Sequence, residues 1–186
     1  MCTSECINFG NNNLTEADIF NKKVIEVGSR NVNGTLRTII QKYNPKSYVG
    51  VDIIAGADVD EICDVNNLSD RFGCESFDVV ISTEMLEHVK DWRKAIFNLK
   101  DVLKVNGILL LTTRSIGFPQ HNYPFDFWRF ETDDMKFIFS DMDILALEKE
   151  NSEPGVFIKA RKPTSFKGLN LDSYELYSIL TLNRCL

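Results

Sequence analysis

The feature that most constrains this chain is a β-branched run at 23–27 (KVIEV) that ends directly before Gly28. A polar turn follows, and a second glycine, Gly34, opens a segment with a helical pattern. A further apolar run, at 48–51 (YVGV), then stops at Asp52. Strand, glycine turn, helix and a strand with a terminal carboxylate are typical of a nucleotide site at the carboxyl edge of a parallel sheet.

The rest of the chain alternates apolar runs with helical patterns, which predicts parallel strands joined by crossover helices in an α/β fold. We expect strands at about 23–27, 47–53, 61–65, 77–82, 107–113, 142–149 and 155–161, and helices beginning near 15–18 and covering about 33–43, 91–103 and 132–140. The whole chain, 1–186, is predicted to be one domain with a core at about 22–163. The tail at 164–186 is amphipathic, and the sequence assigns it no place.

Charge and composition narrow the possible partners. The chain has 186 residues and a net charge of −6, with no run of Lys or Arg, which argues against nucleic acid as a partner. Its longest apolar stretch, around 107–111, is far too short to span a bilayer. Five scattered cysteines without a C-x-x-C pair indicate free thiols in a reducing cytoplasm. We therefore expect a cytoplasmic monomer or homodimer with no membrane span.

The first glycine turn by itself does not identify the ligand. A nicotinamide-dependent Rossmann oxidoreductase would use three glycines there, but Arg30 and Val32 occupy positions where a close approach to a pyrophosphate is needed. The turn therefore suits a nucleoside ligand without a phosphate better. Asp52 supports a ligand, because an acid that ends a buried strand needs polar partners. Asp64 ends the third short strand in the same way and could accept a hydrogen bond from an exocyclic amine.

The segment at 81–92 (ISTEMLEHVKDW) follows the fourth strand directly. With it, the chain resembles the class I S-adenosylmethionine-dependent methyltransferases, in particular the group called type 11. The resemblance runs from about 22 to 163 and includes VIEVGS, GVD, FDVVISTEMLEHV and LKVNGILLLTT. The family usually has Gly-x-Gly-x-Gly in the first turn, whereas this chain keeps only Gly28 and a displaced Gly34.

The resemblance implies a Rossmann-like doubly wound sheet of seven strands, mostly parallel, with an antiparallel last strand. It also implies S-adenosyl-L-methionine as the cofactor. Gly28 and Ser29 would lie near the amino-acid tail of the cofactor, Asp52 would hold the ribose hydroxyls, and Asp64 would border the adenine. The implied cofactor site comprises Glu26, Gly28, Ser29, Gly34, Asp52, Ile53, Asp64, Val65, Thr83 and Glu84.

The two histidines, His88 and His121, both fall beside the expected pocket and are the candidate catalytic residues, as proton acceptors or acceptor contacts. A capping role for His88 stays open. Glu84, Glu87 and His88 match no strong metal-ligand spacing, so we expect no metal.

A long aromatic segment at 117–130 is the predicted substrate wall, because loops of this length in a compact domain are usually functional. Its candidate substrate-binding residues are Tyr123, Asp126, Trp128 and Arg129. An internal ion pair between Asp126 and Arg129 in a packed loop is the alternative.

The sequence thus predicts methyl transfer from S-adenosylmethionine to a small-molecule acceptor that it does not identify. Two alternatives remain open, a nicotinamide-dependent oxidoreductase and a non-catalytic S-adenosylmethionine-binding regulatory protein.

Overall fold

The computed structural model describes residues 3–121 and 125–186. Its strands are β1 Lys23–Val27, β2 Ser47–Asp52, β3 Glu61–Ile62, β4 Phe77–Thr83, β5 Leu103–Arg114, β6 Trp128–Arg129, β7 Asp143–Lys149, β8 Gly155–Arg161, β9 Leu176–Ser178 and β10 Asn183–Cys185. Its α-helices are α1 Ser4–Asn13, α2 Glu16–Ile19, α3 Arg37–Gln41, α4 Leu68–Phe72, α5 Trp92–Asp101 and α6 Thr132–Ile138.

Seven strands form the main sheet, in the order β3-β2-β1-β4-β5-β8-β7. Neighbours from β3 to β5 pair in parallel, and β8 runs antiparallel to both β5 and β7. This confirms the predicted mostly parallel, seven-stranded doubly wound sheet with an antiparallel last strand. From β1 the chain crosses to β2, towards one edge of the sheet, and from β4 it crosses to β5, towards the other edge. The carboxyl ends of β1 and β4 therefore flank the crevice where open α/β sheets bind ligands.

Both faces of the sheet are covered, which explains the almost continuous apolar runs of its central strands. On one face, Trp92, Ile96 and Leu99 of α5 belong to the cluster that contains Val80 and Leu109. On the other face, the first helix, α1, supplies Cys6 and Phe9 to a cluster with Ile81, Leu110 and Phe157. The sequence did not predict α1, which covers a surface that the central strands would otherwise expose.

Several predicted element boundaries were wrong. The helix expected at 33–43 begins only at Arg37, because Gly34 has φ +142° and its N–H donates to Asn31 Oδ1 at 3.0 Å, which keeps this stretch in the turn. The third strand is only Glu61–Ile62, since Asp64 caps a 3₁₀ turn at 65–67 instead of extending it. The fifth strand begins earlier than 107, at Leu103, and α4 was not predicted.

The tail, which the sequence left unplaced, completes a second sheet of three strands in the order β10-β9-β6. Arg93 of α5 donates to the carbonyls of Leu171 and Tyr174, at 2.9 and 2.7 Å. The Tyr174 hydroxyl donates to the buried Asp134 of α6 at 2.7 Å, so the tail is fastened to two helices. None of the helices in the described ranges is long and apolar enough to cross a membrane.

Candidate functional site

A cleft lies at the carboxyl ends of β1, β2 and β4 and consists of two adjoining lobes. The first lobe, of about 760 Å³, contains Glu26, Ser29 and His121 among its lining residues. The second lobe, of about 930 Å³, contains Asp64, Val65 and Trp128. Residues common to both lobes mark where they join: Gly28, Asp52, Ile53, Met85, His88 and Phe125. Each lobe by itself is in the volume range that ligand-sized pockets occupy.

Gly28 sits in the tight turn between β1 and the cleft. Its φ is +81°, a left-handed conformation that glycine adopts without steric cost. A Cβ atom at this position would lie 2.7 Å from Cβ and Cγ of Met85. The backbone therefore passes directly beneath the segment that follows β4, and only a glycine leaves room for both.

Polar side chains support the glycine-poor turn. Ser29 Oγ donates to the carbonyl of Asp58 at 3.1 Å, and Asn31 Nδ2 donates to the carboxylate of Asp58 at 2.9 Å. Arg37 Nη1 donates to the same carbonyl at 3.0 Å. The loop after β2 thus fastens the turn, and the Ser29 hydroxyl is engaged there. Gly34 lies at the far edge of the first lobe, against Ile7 of α1.

Glu26 forms the floor of the first lobe and is 2% exposed. Burial raises its pKa to about 7, although the Tyr48 hydroxyl donates a hydrogen bond to its carboxylate. The same burial, with the Glu26 charge beside it, raises the pKa of Tyr48. A carboxyl group with this pKa can change its protonation state near neutral pH when a charged ligand group approaches.

Asp52, the last residue of β2, lies where the two lobes meet. Its Oδ2 accepts from the Arg30 N–H at 3.2 Å, and its Oδ1 accepts from the Ile54 N–H at 3.1 Å. These bonds orient the carboxylate, and an ionised carboxylate has further lone pairs for ligand hydroxyls. Ile53, next in sequence, is 63% exposed beside the cleft, which makes it an apolar surface available to a ligand.

Asp64 and Val65 border the second lobe. Asp64 Oδ1 accepts from the Asn66 N–H at 2.8 Å, so this acid is held as the cap of the 3₁₀ turn. Val65 is buried, and Asn66 joins the lining of the lobe beside it. A polar rim next to an apolar patch suits a heteroaromatic base.

Thr83 and Glu84 close the first lobe at the end of β4. Glu84 has φ +53° and is 4% exposed, and its carboxylate pairs with Arg114 and accepts from Cys6 Sγ at 3.3 Å. Burial, with the nearby Glu87 charge, raises its pKa well above the ordinary value. The Glu84 side chain is thus held in a buried cluster beneath the lobe, and its strained backbone turns the chain towards 85–88.

His88 and His121 meet edge to face at the first lobe, with ring centroids 4.7 Å apart. Nδ1 of His88 contacts the carbonyl of Phe125, and Nδ1 of His121 lies 2.9 Å from Asp126 Oδ2. The Phe125 carbonyl fixes Nδ1 of His88, whereas Nδ1 of His121 lies close to the Asp126 carboxylate without forming a hydrogen bond of good geometry. Nε2 of each ring is left for other partners.

Asp126 and Arg129 form a fully buried ion pair, with contacts of 2.6 and 2.8 Å. Burial alone would raise the pKa of Asp126, but hydrogen bonds from Arg129 and His121 outweigh it and hold that pKa well below its usual value. Neither residue lines the two lobes, so the expectation that their charges face a substrate is corrected to the internal pair. Asp126 instead positions His121.

Trp128, by contrast, does line the second lobe, where its Nε1–H donates to the carbonyls of Val89 and Lys90 at 3.1 Å. Tyr123 lies outside the described residues. Phe125 and Phe127 of the predicted aromatic wall also line the second lobe. The sequence did not predict four further lining residues, Met85, Ser178, Leu180 and Leu186. No local signal placed the tail beside the cleft.

This sheet order, with a glycine turn and acids at successive strand ends, defines the class I methyltransferase fold. A family model described as "Methyltransferase domain" matches residues 10–150, and the chain belongs to that family. No curated protein matches the sequence at a significant level.

Solved structures are similar in fold at low identity. An S-adenosylmethionine-dependent methyltransferase from Mesorhizobium loti is 14% identical with a TM-score of 0.59, covering 77% of this chain and 92% of that one. A Burkholderia thailandensis 1,6-didemethyltoxoflavin-N1-methyltransferase, solved with bound S-adenosylhomocysteine, is 12% identical with a TM-score of 0.64, covering 77% and 72%. The [4+2]-cyclase SpnF is 15% identical with a TM-score of 0.65, covering 86% and 81%. One fold thus carries different reactions, so the reaction has to be argued from the site.

Proposed function

We propose that the protein binds S-adenosylmethionine in this cleft and transfers its methyl group to a small, partly apolar molecule. The observation that carries the proposal is that Gly28, Asp52 and Asp64, from the ends of three neighbouring strands, line one lobe of the cleft. Each is of the residue type that a nucleoside ligand needs at its position: a close backbone, an acceptor for hydroxyls and an acceptor for an amine.

The residues present fit the cofactor. Gly28 would lie beside the methionine portion, and it must be a glycine there because a Cβ atom would lie 2.7 Å from Met85, which also lines the cleft. The oriented carboxylate of Asp52 would accept both ribose hydroxyls, and Asp64 with Val65 would border the adenine. Glu26, with a pKa of about 7, would favour a positively charged amino group above it. S-adenosylmethionine supplies a methyl group attached to a positively charged sulfur.

The chain's own task would be alignment and proton transfer. Methyl transfer requires the acceptor atom to be held in line with the methyl group, and a hydroxyl acceptor also has to lose a proton. His88 and His121 would stand beside the acceptor in the first lobe, each with an oxygen atom beside its Nδ1 atom. Either Nε2 atom would then contact the acceptor.

The acceptor class follows from the wall opposite the strand ends. Phe125 lies where the two lobes join, beside the histidines, and Phe127 and Trp128 extend this apolar wall into the second lobe. An apolar wall next to the expected acceptor position favours a planar or apolar molecule. The net charge of −6 disfavours nucleic acid, whose binding depends on neutralising phosphates. We propose a small-molecule methyltransferase that works as a monomer or homodimer in the cytoplasm.

Isothermal titration with S-adenosylhomocysteine and, separately, with NAD tests the proposal. We expect micromolar-range binding of S-adenosylhomocysteine and none of NAD. Asp52→Ala should weaken the binding by about 1–3 kcal/mol, the cost of losing hydrogen bonds to a charged acceptor. The control is Asp70→Ala, which removes an exposed acid on α4 and should leave the affinity unchanged.

Three results would contradict the proposal. NAD binding tighter than S-adenosylhomocysteine binding would favour the nicotinamide-dependent oxidoreductase. Unchanged affinity in Asp52→Ala would remove this residue from the site. Strong S-adenosylhomocysteine binding without methyl transfer to any of a panel of hydroxyl, amine and thiol acceptors would favour the regulatory protein.

A further inference from the structure

We propose that Glu87, His88 and His121 form a binding site for a divalent transition-metal ion at the first lobe. One ligand atom from each of these three residues lies within 4.8 Å of the other two. The sequence spacing of Glu84, Glu87 and His88 argued against a metal. The third ligand, His121, comes from the loop after β5, and its proximity to Glu87 and His88 cannot be read from sequence spacing. The structure supplies this third ligand.

The Glu87 carboxylate gives the first independent indication of a ligand. Its side chain is fully buried, and Thr113 Oγ1 donates to Oε2 at 2.9 Å. Oε1 has no hydrogen-bond partner among the described residues and faces Nε2 of His88 at 3.8 Å. A buried carboxylate oxygen without a partner is costly, and a cation placed between it and the imidazole would satisfy both.

The two imidazoles give the second indication. A metal-binding histidine usually has its other ring nitrogen fixed by a carbonyl or a carboxylate, which sets the tautomer and orients the ring. His88 has the Phe125 carbonyl at Nδ1, and His121 has the Asp126 carboxylate there. Asp126 is in turn fixed by two contacts from Arg129. The outer shell that such a site needs is therefore already built.

The types of ligand atom indicate which class of metal ion would bind. Two imidazoles and one carboxylate suit Zn²⁺, Mn²⁺, Fe²⁺ or Co²⁺ better than Mg²⁺ or Ca²⁺, which prefer oxygen ligands. Metal–ligand bonds of about 2.0–2.2 Å require only a small closure of the three groups. Glu84 is occupied by Arg114, so the described residues provide three ligands and leave coordination positions open.

The open positions face the first lobe, since His88 and His121 line it and each side chain is just under one-fifth exposed. A cation there would hold an oxygen atom of the acceptor and lower the pKa of its hydroxyl group. This part of the inference rests on the proposed function and narrows the acceptor to a molecule with a hydroxyl group that can coordinate a metal. With the cation bound, the cation replaces the histidine Nε2 atoms as the direct contact of the acceptor.

The test is a titration of the chelator-treated full-length protein with Co²⁺, followed by its visible absorption, and calorimetry with Zn²⁺, Mn²⁺ and Mg²⁺. We expect one Co²⁺ per chain with a spectrum of mixed nitrogen and oxygen ligation, and weaker binding of Mg²⁺. Glu87→Gln and His121→Ala should each weaken Co²⁺ binding at least about tenfold. Cys74→Ser, which removes an exposed thiol, should bind Co²⁺ as the wild type does.

The variants are also titrated with S-adenosylhomocysteine, which shows that they are folded and separates this inference from the proposed function. S-adenosylhomocysteine binding without Co²⁺ binding would overturn the metal site and leave the proposed function intact. Co²⁺ affinity that is equal in wild type, Glu87→Gln and His121→Ala, or that is lost in Cys74→Ser, would also overturn it. Co²⁺ binding without S-adenosylhomocysteine binding would support the site and contradict the proposed function.

Discussion

The two walls of the cleft differ in where their residues come from. One wall takes Gly28, Asp52 and Asp64 from the ends of neighbouring strands, and we call it the strand-end wall. The other takes Trp128 from β6, at the end of the loop after β5, and Leu180 from the tail, and we call it the loop–tail wall. The strand-end wall is held by the main sheet, whereas the loop–tail wall is held by the small sheet that β6 forms with β9.

This difference has a functional consequence. Parallel strands pair along their length, so the positions of their carboxyl ends are fixed relative to one another, which suits the recognition of an invariant ligand. The loop–tail wall depends on side chains that reach across the fold, such as Arg93 and Tyr174. Such a wall can change shape among relatives without disturbing the sheet, which suits the recognition of a variable acceptor.

The largest expected effect is on the strand-end wall, in Gly28→Ala. The new Cβ would be both in a left-handed backbone and 2.7 Å from Met85, so we expect a loss of about 3–5 kcal/mol in the free energy of unfolding, measured with urea. Gly73→Ala is the matched control, because Gly73 has φ +80° but its nearest neighbour would be Ser76 Oγ at 3.6 Å. Gly73 has ψ 159°, a sparsely populated backbone conformation, so its replacement should lose only about 1–3 kcal/mol. Equal losses would show that crowding at Gly28 contributes nothing.

The second-largest effect is the pH dependence of stability that Glu26, at the floor of the first lobe, should produce. Glu26 has a pKa of about 7 in the folded protein against 4.5 as its ordinary value, so the folded state binds the proton more tightly. This stabilisation is complete below pH 4.5 and is lost as the pH rises through 7. Each pKa unit corresponds to about 1.4 kcal/mol, so the loss amounts to about 3 kcal/mol.

Urea unfolding of wild type and Glu26→Gln at several pH values between 4 and 8 measures this dependence. The free-energy difference between the two proteins should shift in favour of Glu26→Gln as the pH rises. Glu148→Gln, an exposed change on β7, should show the pH dependence of the wild type. A constant difference between wild type and Glu26→Gln would mean that folding does not change the pKa of Glu26.

The smallest effect is on the loop–tail wall, in Tyr174→Phe. The change removes the hydroxyl that donates to Asp134 but keeps the ring, which stacks on Phe137 with centroids 4.3 Å apart. We expect a loss of about 1 kcal/mol in unfolding free energy and faster hydrogen exchange in β9. Tyr177→Phe, on β9 itself, is the control, because the Tyr177 hydroxyl makes no hydrogen bond to the residues that the structure describes. Faster exchange in β1 or β2 as well would show that the two walls are not independent.

The strand-end wall could be predicted from the sequence because its signals are local. A β-branched run followed by Gly28, and a second run ending at Asp52, specify the strands and their terminal residues within a few positions. The loop–tail wall could not be predicted, because β6 and β9 are two and three residues long and pair across the sequence. The sequence also left open whether Asp126 and Arg129 face a ligand or pair with each other. Burial decides between the two, and it depends on contacts that are distant in sequence.

Amide chemical-shift mapping during titration with S-adenosylhomocysteine tests the central claim most directly, namely that the strand-end wall binds the cofactor. The account predicts saturable shifts at three separate places along the chain, the turn at 28–29, the residues at 52–54 and the 3₁₀ turn at 65–67. It also predicts that Asp52→Ala reduces all three together, because one ligand spans them. Shifts confined to the tail at 176–186, or no shifts at the three strand ends at saturating ligand, would contradict it.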